Sequence, residues 1–543
     1  MSRSIRWEDE MTPNRKTFPT LLLALGSIAL AENPIVQTKF TADPAPMVWN
    51  DTVFLYTSHD SDIATGSGSF QMSNWLLYTT TDMVNWRDRG SIASLKNFKW
   101  GPQDNGAWAP QTIQSNGKFY LYAPLHGQGI GVLESSSPYG PFTDPLGKAL
   151  ITDNVWDDID PTVYIDSDGQ AYLYFGNPDS WWVKLNSNMT SYSGGVTMIT
   201  RLNTYQEGPW FYKHGSNYYL AFASTCCPEG IGYAMATSPT GPWTYKGSIM
   251  DGNSNSSGNH PGIIDFKGKS YVFGFNYAMT KSLDPNTARE RRSVCLAEMT
   301  YNSDGTIQKV PFWGTGMPSG PGVAQVGNLD PYVQVEAETI AWSHGVKTEP
   351  CSEGGMDVDS IQNGDYIKLK GVDFGAGASS FDARVASATS GGNIELRLDS
   401  AKGKLVGTVA VTGTGGRQTW TTKSCAVSGA TGVHDLFLMF TGSGTGELFG
   451  FNWWQFTRTT ALDPLETAKA GKWLRVEARA GQLSIQSDLP VDRIELVSAR
   501  GETRDLGTGK QTQWSTEGFT PGVYFLKVRA GSVTKVERVL LNL

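Results

Sequence analysis

Five times along the chain a short run of alternating apolar residues meets a turn and returns as an aromatic-rich run. Each pair opens on a residue suited to chemistry or to sugar contact. The pairs start at Asp43 (D-P-A-P-M-V-W-N-D-T-V-F-L-Y), Trp108 (W-A-P-Q-T-I-Q-S-N-G-K-F-Y-L-Y), Asp160 (D-P-T-V-Y-I-D-S-D-G-Q-A-Y-L-Y), Glu207 (E-G-P-W-F-Y-K-H-G-S-N-Y-Y-L-A) and His260 (H-P-G-I-I-D-F-K-G-K-S-Y-V-F-G). Aromatic and β-branched residues in period-two order predict strands, and Asn116-Gly117 and Asp168-Gly169 predict tight hairpin turns between them. The openings lie 65, 52, 47 and 53 residues apart. Recurrence at roughly 40–50 residues, with several short strands per unit, predicts a β-propeller, here of five blades. The innermost strand of each blade starts near the central axis, so the five openings converge on one funnel. They bring three carboxylates, an indole and an imidazole.

A second repeat agrees. S-P-Y-G-P-F at 137–142 recurs as S-P-T-G-P-W at 238–243, in step with the hairpins at Trp108 and Glu207, and T-T-D-M-V-N-W at 80–86 fills this role in the first blade. The propeller is expected over residues 32–325. From Leu329 the strands become shorter and more polar, and residues 329–457 read as a β-sandwich of jelly-roll type. Residues 458–472 form a polar linker with a helix-like fragment, and 473–543 a small C-terminal β-sandwich. The fold class is therefore all-β.

The first 31 residues read as a leader. Arg15 and Lys16 precede the apolar run Phe18–Ala29, and Ala29-Leu30-Ala31 fits a small-residue cleavage site. Glu8, Asp9 and Glu10 are foreign to such a leader, so Met11 is the better start. No later run reaches the ~18 apolar residues that span a bilayer. A secreted or cell-surface bacterial protein is expected, monomeric and possessing no membrane span. With 61 Gly and 27 Pro the composition suits a turn-rich all-β chain. A net charge of −8 offers no basic surface for nucleic acid. Among the five cysteines, Cys351 and Cys425 could bridge, adjacent Cys226 and Cys227 are a pair that rarely does, and Cys295 reads as a buried apolar residue.

Three carboxylates in one funnel suit glycosidic bond cleavage, which needs a protonated acid for the leaving oxygen and an ionised partner. A third carboxylate can raise the pKa of the acid. Other acidic groups read otherwise: Asp157 and Asp158 as solvated neighbours of Asp160, and Asp166-Ser-Asp168-Gly169 as a hairpin turn, because no bidentate Glu follows at calcium-loop spacing. Arg289, Arg291 and Arg292 form a charge run of which Arg292 is the site candidate.

A-D-P-A-P, D-I-D-P-T-V and Y-Q-E-G-P-W, in this order before similar hairpins, resemble glycoside hydrolase family 43 over about residues 33–322. The resemblance implies a five-bladed propeller of inverting enzymes acting on arabinose- and xylose-containing plant polysaccharides. It implies Asp43 as general base, Glu207 as general acid and Asp160 as pKa modulator. Arg292 and Trp108 would contact the sugar, and His260 would lie on the axis, where a calcium ion can accompany it.

V-E-A-E at 335–338, C-S-E-G-G-M-D-V, I-Q-N-G-D-Y-I and G-V-H-D-L-F-L resemble carbohydrate-binding module family 6 over residues 331–456. That resemblance implies a sugar clamped between Tyr366 and Trp420, and a structural calcium ion at Glu336, Glu338 and Asn452. Gly450 stands where a sugar-binding Asn is common, and Asn452 where the ion site has Asp. The C-terminal strands, with D-R-I-E-L-V-S-A-R-G and P-G-V-Y-F-L-K-V, resemble the sorting domains of surface-secreted bacterial enzymes. Together these features predict an α-L-arabinofuranosidase that debranches arabinoxylan. The alternatives are a β-xylosidase with the same three carboxylates, or a xylan-binding protein that does not hydrolyse.

Overall fold

The computed structural model describes residues 32–62, 70–154, 156–256, 259–283, 291–320, 322–444 and 446–459. Within 474–541 it describes the strands given below with residues 490–492, 508 and 516–521. The expected leader, and the expected linker beyond Thr459, lie outside the described residues. The chain divides into two compact units, 1–458 and 459–543.

The first unit opens with five radial antiparallel sheets. Blade 1 holds β1 (Thr41–Trp49), β2 (Thr52–His59), β3 (Asn74–Thr80) and β4 (Trp86–Ser94). Blade 2 holds β5 (Gln111–Ser115), β6 (Lys118–Leu125) and β7 (Gly129–Ser135). Blade 3 holds β8 (Thr162–Ile165), β9 (Ala171–Phe175), β10 (Trp181–Leu185) and β11 (Tyr192–Met198). Blade 4 holds β12 (Tyr205–His214), β13 (Asn217–Ser224), β14 (Gly230–Ala236) and β15 (Thr244–Met250). Blade 5 holds β16 (Gly262–Phe266), β17 (Lys269–Asn276) and β18 (Ser293–Met299).

The second strand of each blade is apolar on both faces because blades pack face to face. In β2, Phe54 and Tyr56 enter one core while Val53 and Leu55 enter another. In β9, Tyr172 and Tyr174 meet blade 4 while Leu173 and Phe175 meet blade 2. Strands covered on both faces read as near-continuous apolar runs, which is why the return runs of the hairpins look so hydrophobic. The N-terminal segment closes the ring beside β18. Ile35 N–H donates to Val294 O at 2.9 Å, and the Asn33 side chain exchanges hydrogen bonds with the Leu296 backbone at 2.9 and 3.0 Å. A closed ring leaves no seam between first and last blade.

The sandwich follows with β19 (Val335–Glu336), β20 (Thr339–Ile340), β21 (Trp342–His344), β22 (Lys347–Pro350), β23 (Met356–Asp359), β24 (Tyr366–Asp373), β25 (Ala378–Ala386), β26 (Gly392–Leu398), β27 (Leu405–Val411), β28 (Thr421–Ala426), β29 (Val433–Thr441) and β30 (Gly450–Arg458). Its two sheets, β22-β23-β30-β25-β28 and β21-β24-β29-β26-β27, enclose a core that includes Phe381, Phe440 and Trp454. It is not tethered loosely to the propeller. β20 pairs with β4 as a fifth strand of blade 1, Thr339 opposite Arg87 and Ile340 opposite Trp86. Asp88 accepts from Lys39 at 2.5 Å and from Thr348 Oγ1 of the sandwich at 2.6 Å.

The second unit holds β31 (Leu474–Arg479), β32 (Gln482–Ser487), β33 (Arg493–Ser498), β34 (Thr503–Gly507), β35 (Gln513–Ser515), β36 (Gly522–Ala530) and β37 (Val533–Leu541) in two small sheets around Leu496, Leu526 and Val528. Among the described residues no helix is long and apolar enough to cross a membrane. The cysteine reading needs correction. Cys226 and Cys227 are bonded to each other, whereas Cys351 and Cys425 are free thiols. Cys295 is fully buried, as its strand predicts.

Candidate active site

The five X-Pro openings do converge, with one shift of register. The residue before each proline is Asp43, Ala109, Asp160, Gly208 and His260, so Trp108 and Glu207 sit one place earlier than the other three. Asp43 and Asp160 take left-handed backbone at φ 50° and 57°, and in blade 4 Gly208 takes that place at φ 59°. A β-bulge at 207–210 absorbs the offset and aims Glu207 into the funnel. Only glycine fits at 208: a Cβ there would lie 2.6 Å from the His260 ring.

Asp43, Asp160, Glu207, His260, Arg292 and Trp108 all line one cavity of ≈ 330 Å³, together with Phe70, Met72, His126, Trp156 and Asn177. Asp43 accepts from Ser58 Oγ at 2.7 Å and from the Arg292 guanidinium at 2.7 Å. Arg292 is itself gripped by Asp60, through its backbone N–H at 2.8 Å and its side chain at 3.0 and 2.9 Å. Asp160 accepts the Gly208 N–H at 3.0 Å, and Glu207 accepts from Asn177 Nδ2 at 2.5 Å. His260 stands between the acids, its Nδ1 3.3 Å from Asp43 and its Nε2 3.5 Å from Glu207 and 3.7 Å from Asp160.

The electrostatics follow from burial of so much like charge. Desolvation pushes Asp160 up to about 7, and the Glu207 and Asp43 charges add to it. Burial works against a charged His260, but the surrounding carboxylates push it up to about 10. Desolvation would also raise Glu207; the His260 and Asn177 hydrogen bonds outweigh it and hold this carboxyl below its ordinary range. In the free protein the cluster's protons therefore rest on His260 and Asp160 rather than on Glu207.

One wall is aromatic. Trp108 stacks on His126 at 3.7 Å, and Trp156, 64% exposed, meets the far edge of His126 at 5.1 Å. Asp60, His126, Trp156, Asn177, Phe70 and Met72 escape a reading of strand openings. All but Trp156 sit in turns between the second and third strands of their blades, which end on the same side of the ring. Those turns were the signal: each lies one hairpin after an opening. Asp157 is half-buried and lines the cavity, and Asp158 is not solvated. It is buried, and its carboxylate accepts the Asn154 N–H at 2.9 Å.

The two residues expected to clamp a sugar adjoin different sheets of the sandwich. Tyr366 opens β24 and its ring lies against His344 and Phe437, while Trp420 precedes β28 in the other sheet and donates to Ser352 Oγ at 3.0 Å. Trp420 lies beside Gly450, and Arg417 reaches across to Asp359 at 2.5 Å. The expected calcium ligands also turn elsewhere. Glu338 and Glu336 point to Arg87 of the propeller, at 3.1 and 3.6 Å, and Asn452 donates to Glu353 at 3.1 Å. Burial pushes Glu338 up to about 8 even beside Arg87. A guanidinium in the middle and a largely protonated acid do not fit Ca²⁺, which needs several converging anionic oxygens. On the propeller axis, ligand atoms of Asp160, Glu207 and His260 lie within 4.8 Å of one another, so a cation there would compete with the His260 proton.

Residues 31–307 match the family model for glycosyl hydrolases family 43, and residues 336–458 that for carbohydrate binding module family 6. The chain is similar to an arabinoxylan arabinofuranohydrolase of Paenibacillus polymyxa, with 35% identity over 91% of this chain and 88% of the relative. It is also similar to an arabinoxylan arabinofuranohydrolase of Bacillus subtilis, 38% identical over 78% of this chain and 92% of the relative. The crystal structure of a family 43 arabinoxylan arabinofuranohydrolase from Bacillus subtilis, in complex with cellotetraose, superposes with a TM-score of 0.70 at 37% identity, covering 78% of this chain and 97% of that one. A propeller with three carboxylates in its funnel, joined to a jelly-roll sandwich, thus has its counterpart in sequence and in structure: the chain belongs to glycosyl hydrolase family 43 and carries a family 6 carbohydrate-binding module.

Proposed function

We propose that the protein removes α-L-arabinofuranosyl side groups from arabinoxylan by single displacement with inversion. The observation that carries this reading is the set of Asp43, Asp160 and Glu207 around one cavity of ≈ 330 Å³, a volume suited to a terminal sugar. Its support beyond the cavity is the pair of relatives named arabinoxylan arabinofuranohydrolase that align over most of the chain.

Asp43, oriented by hydrogen bonds from Arg292 and Ser58, takes the proton of the attacking water. Glu207 gives a proton to the departing glycosidic oxygen. The His260 ring stands between the two acids, 3.3 Å from Asp43 and 3.5 Å from Glu207, an arrangement that suits the wider spacing an inverting enzyme needs for its water. Glu207 becomes an acid by receiving the His260 proton across 3.5 Å once substrate has excluded water. Asp160, tied to the Gly208 N–H, fixes the bulge that carries Glu207 and keeps a second proton in the cluster. Trp108 and Arg292 contact the sugar. The module offers its Trp420 edge to the polymer. The place of action is outside the cell, a reading that rests on Arg15, Lys16 and the apolar run that follows.

The test is product analysis on wheat arabinoxylan with proton NMR of the released sugar. Free arabinose appearing first as the inverted anomer, over an uncut xylan backbone, is the expected result. Xylose from xylo-oligosaccharides would make the protein a β-xylosidase, and no release from either would leave a binding protein.

A further inference from the structure

In four of the five blades the connection between the second and third strands delivers side chains to the cavity. Blade 1 supplies Phe70 and Met72, blade 2 His126, blade 3 Asn177 and blade 5 Arg292. The ring symmetry puts the corresponding turn of blade 4, residues 225–229, at the same mouth. Its register confirms the end of the blade: Glu207 pairs with Ala223, just before the turn. That turn carries the bonded pair Cys226–Cys227, with Thr225 to Pro228 all exposed.

The bond is not a staple for the fold. A disulfide stabilises chiefly by closing a long loop in the unfolded chain, and this one joins neighbours in sequence. What it does is convert two adjacent residues into one rigid ring without a hydrogen-bond donor in either side chain. The ring is firmly seated. Both sulfurs lie within 4.8 Å of a Glu229 carboxylate oxygen. Glu229 is buried, accepts the Asn259 N–H at 3.1 Å, and pairs its backbone with Ser256 at 3.1 Å. Asn259 directly precedes His260, so the ring is fixed relative to the catalytic imidazole.

We infer that the Cys226–Cys227 ring is an apolar platform at the funnel mouth for the xylan backbone that carries the arabinosyl group, and so a determinant of polymer specificity. Pyranose units present C–H faces that pack on flat apolar surfaces, and a polarizable disulfide supplies one. The exposed Trp156 lies at the mouth as well, beside His126 of blade 2. A chain lying over the mouth would thus meet apolar surface on the side of blade 4 as well as on that of Trp156.

This inference rests on the proposed debranching activity, and its test separates the two. Wild-type protein, the same protein treated with a phosphine reductant, and Cys226→Ser/Cys227→Ser are compared on wheat arabinoxylan and on nitrophenyl α-L-arabinofuranoside. The remaining cysteines, Cys295, Cys351 and Cys425, are already free thiols, so reduction acts on this bond alone. The expected result is a loss of about tenfold in kcat/KM on the polymer, the scale of one apolar contact in a specificity site, with the aryl glycoside changed less than about twofold. Equal losses on both substrates would make the ring a support for Glu229 and His260 instead. No loss on either would remove it from substrate contact. Failure of the debranching reading shows in the wild type; failure of the platform shows only in the ratio.

Discussion

At the scale of single residues the division of labour between Asp43 and Glu207 is testable by leaving-group chemistry. An acid matters where the departing oxygen is basic and matters little where it is already a stable anion. Glu207→Gln is therefore expected to lower kcat on arabinoxylan by roughly 10²–10⁴-fold, with a much smaller loss on dinitrophenyl arabinofuranoside. Asp43→Asn is expected to fail on both, because both need an activated water. Steady-state kinetics on the two substrates checks this, and equal losses from Glu207→Gln would reassign its role. The apparent pKa of the acid limb belongs to the whole Asp160–Glu207–His260 cluster, since these groups share protons at 3.5–3.7 Å.

At the scale of elements, the join between propeller and module is a shared sheet and a side-chain clamp. β20 extends blade 1, and Arg87, which lies opposite Thr339 in that pairing, reaches both Glu336 and Glu338. Wild-type thermal stability should accordingly be the same in calcium and in chelator. Arg87→Ala should cost roughly 1–3 kcal/mol in denaturant unfolding, because it strands the buried Glu338 carboxyl without a donor. A wild-type melting temperature that rises with calcium would restore the expected ion site. The two glutamates were identifiable from V-E-A-E, but their partner lies about 250 residues away along the chain, and no local pattern announces it. Tyr366 illustrates the same limit. The motif around it was readable, yet which sheet its ring faces depends on the pairing of β24 with β21 and β29.

At the scale of the whole molecule, buried acids make stability depend on pH with a definite sign. Asp160 is pushed up to about 7, and Glu229 and Glu338 to about 8, each chiefly by burial. A folded-state pKa above the unfolded value means that the folded protein holds the extra proton. The stability these groups contribute is complete below about pH 4 and is lost as pH rises through 7 to 8. His260, raised to about 10, loses its contribution in the same direction. Melting temperature should therefore fall between pH 6 and pH 9, and Glu338→Gln should flatten part of that fall. A melting temperature that climbs over this range would contradict the burial of these acids as neutral groups.

What the amino-acid sequence determined by itself was everything that repeats or alternates. Strand periodicity, turn dipeptides and the five X-Pro openings are local, and local sterics place Asp43, Asp160, Glu207 and His260 at the inner ends of strands whatever the rest of the chain does. A closed ring then leaves them no place but the axis. Tertiary structure alone decided which groups these residues meet. Asp60 grips Arg292 from the opposite end of the propeller sequence, Asn177 turns Glu207 toward ionisation, and Arg87 fills the module's cation seat. Those pairings join residues far apart in the chain, and their energies come from burial and charge that exist only once the blades have closed.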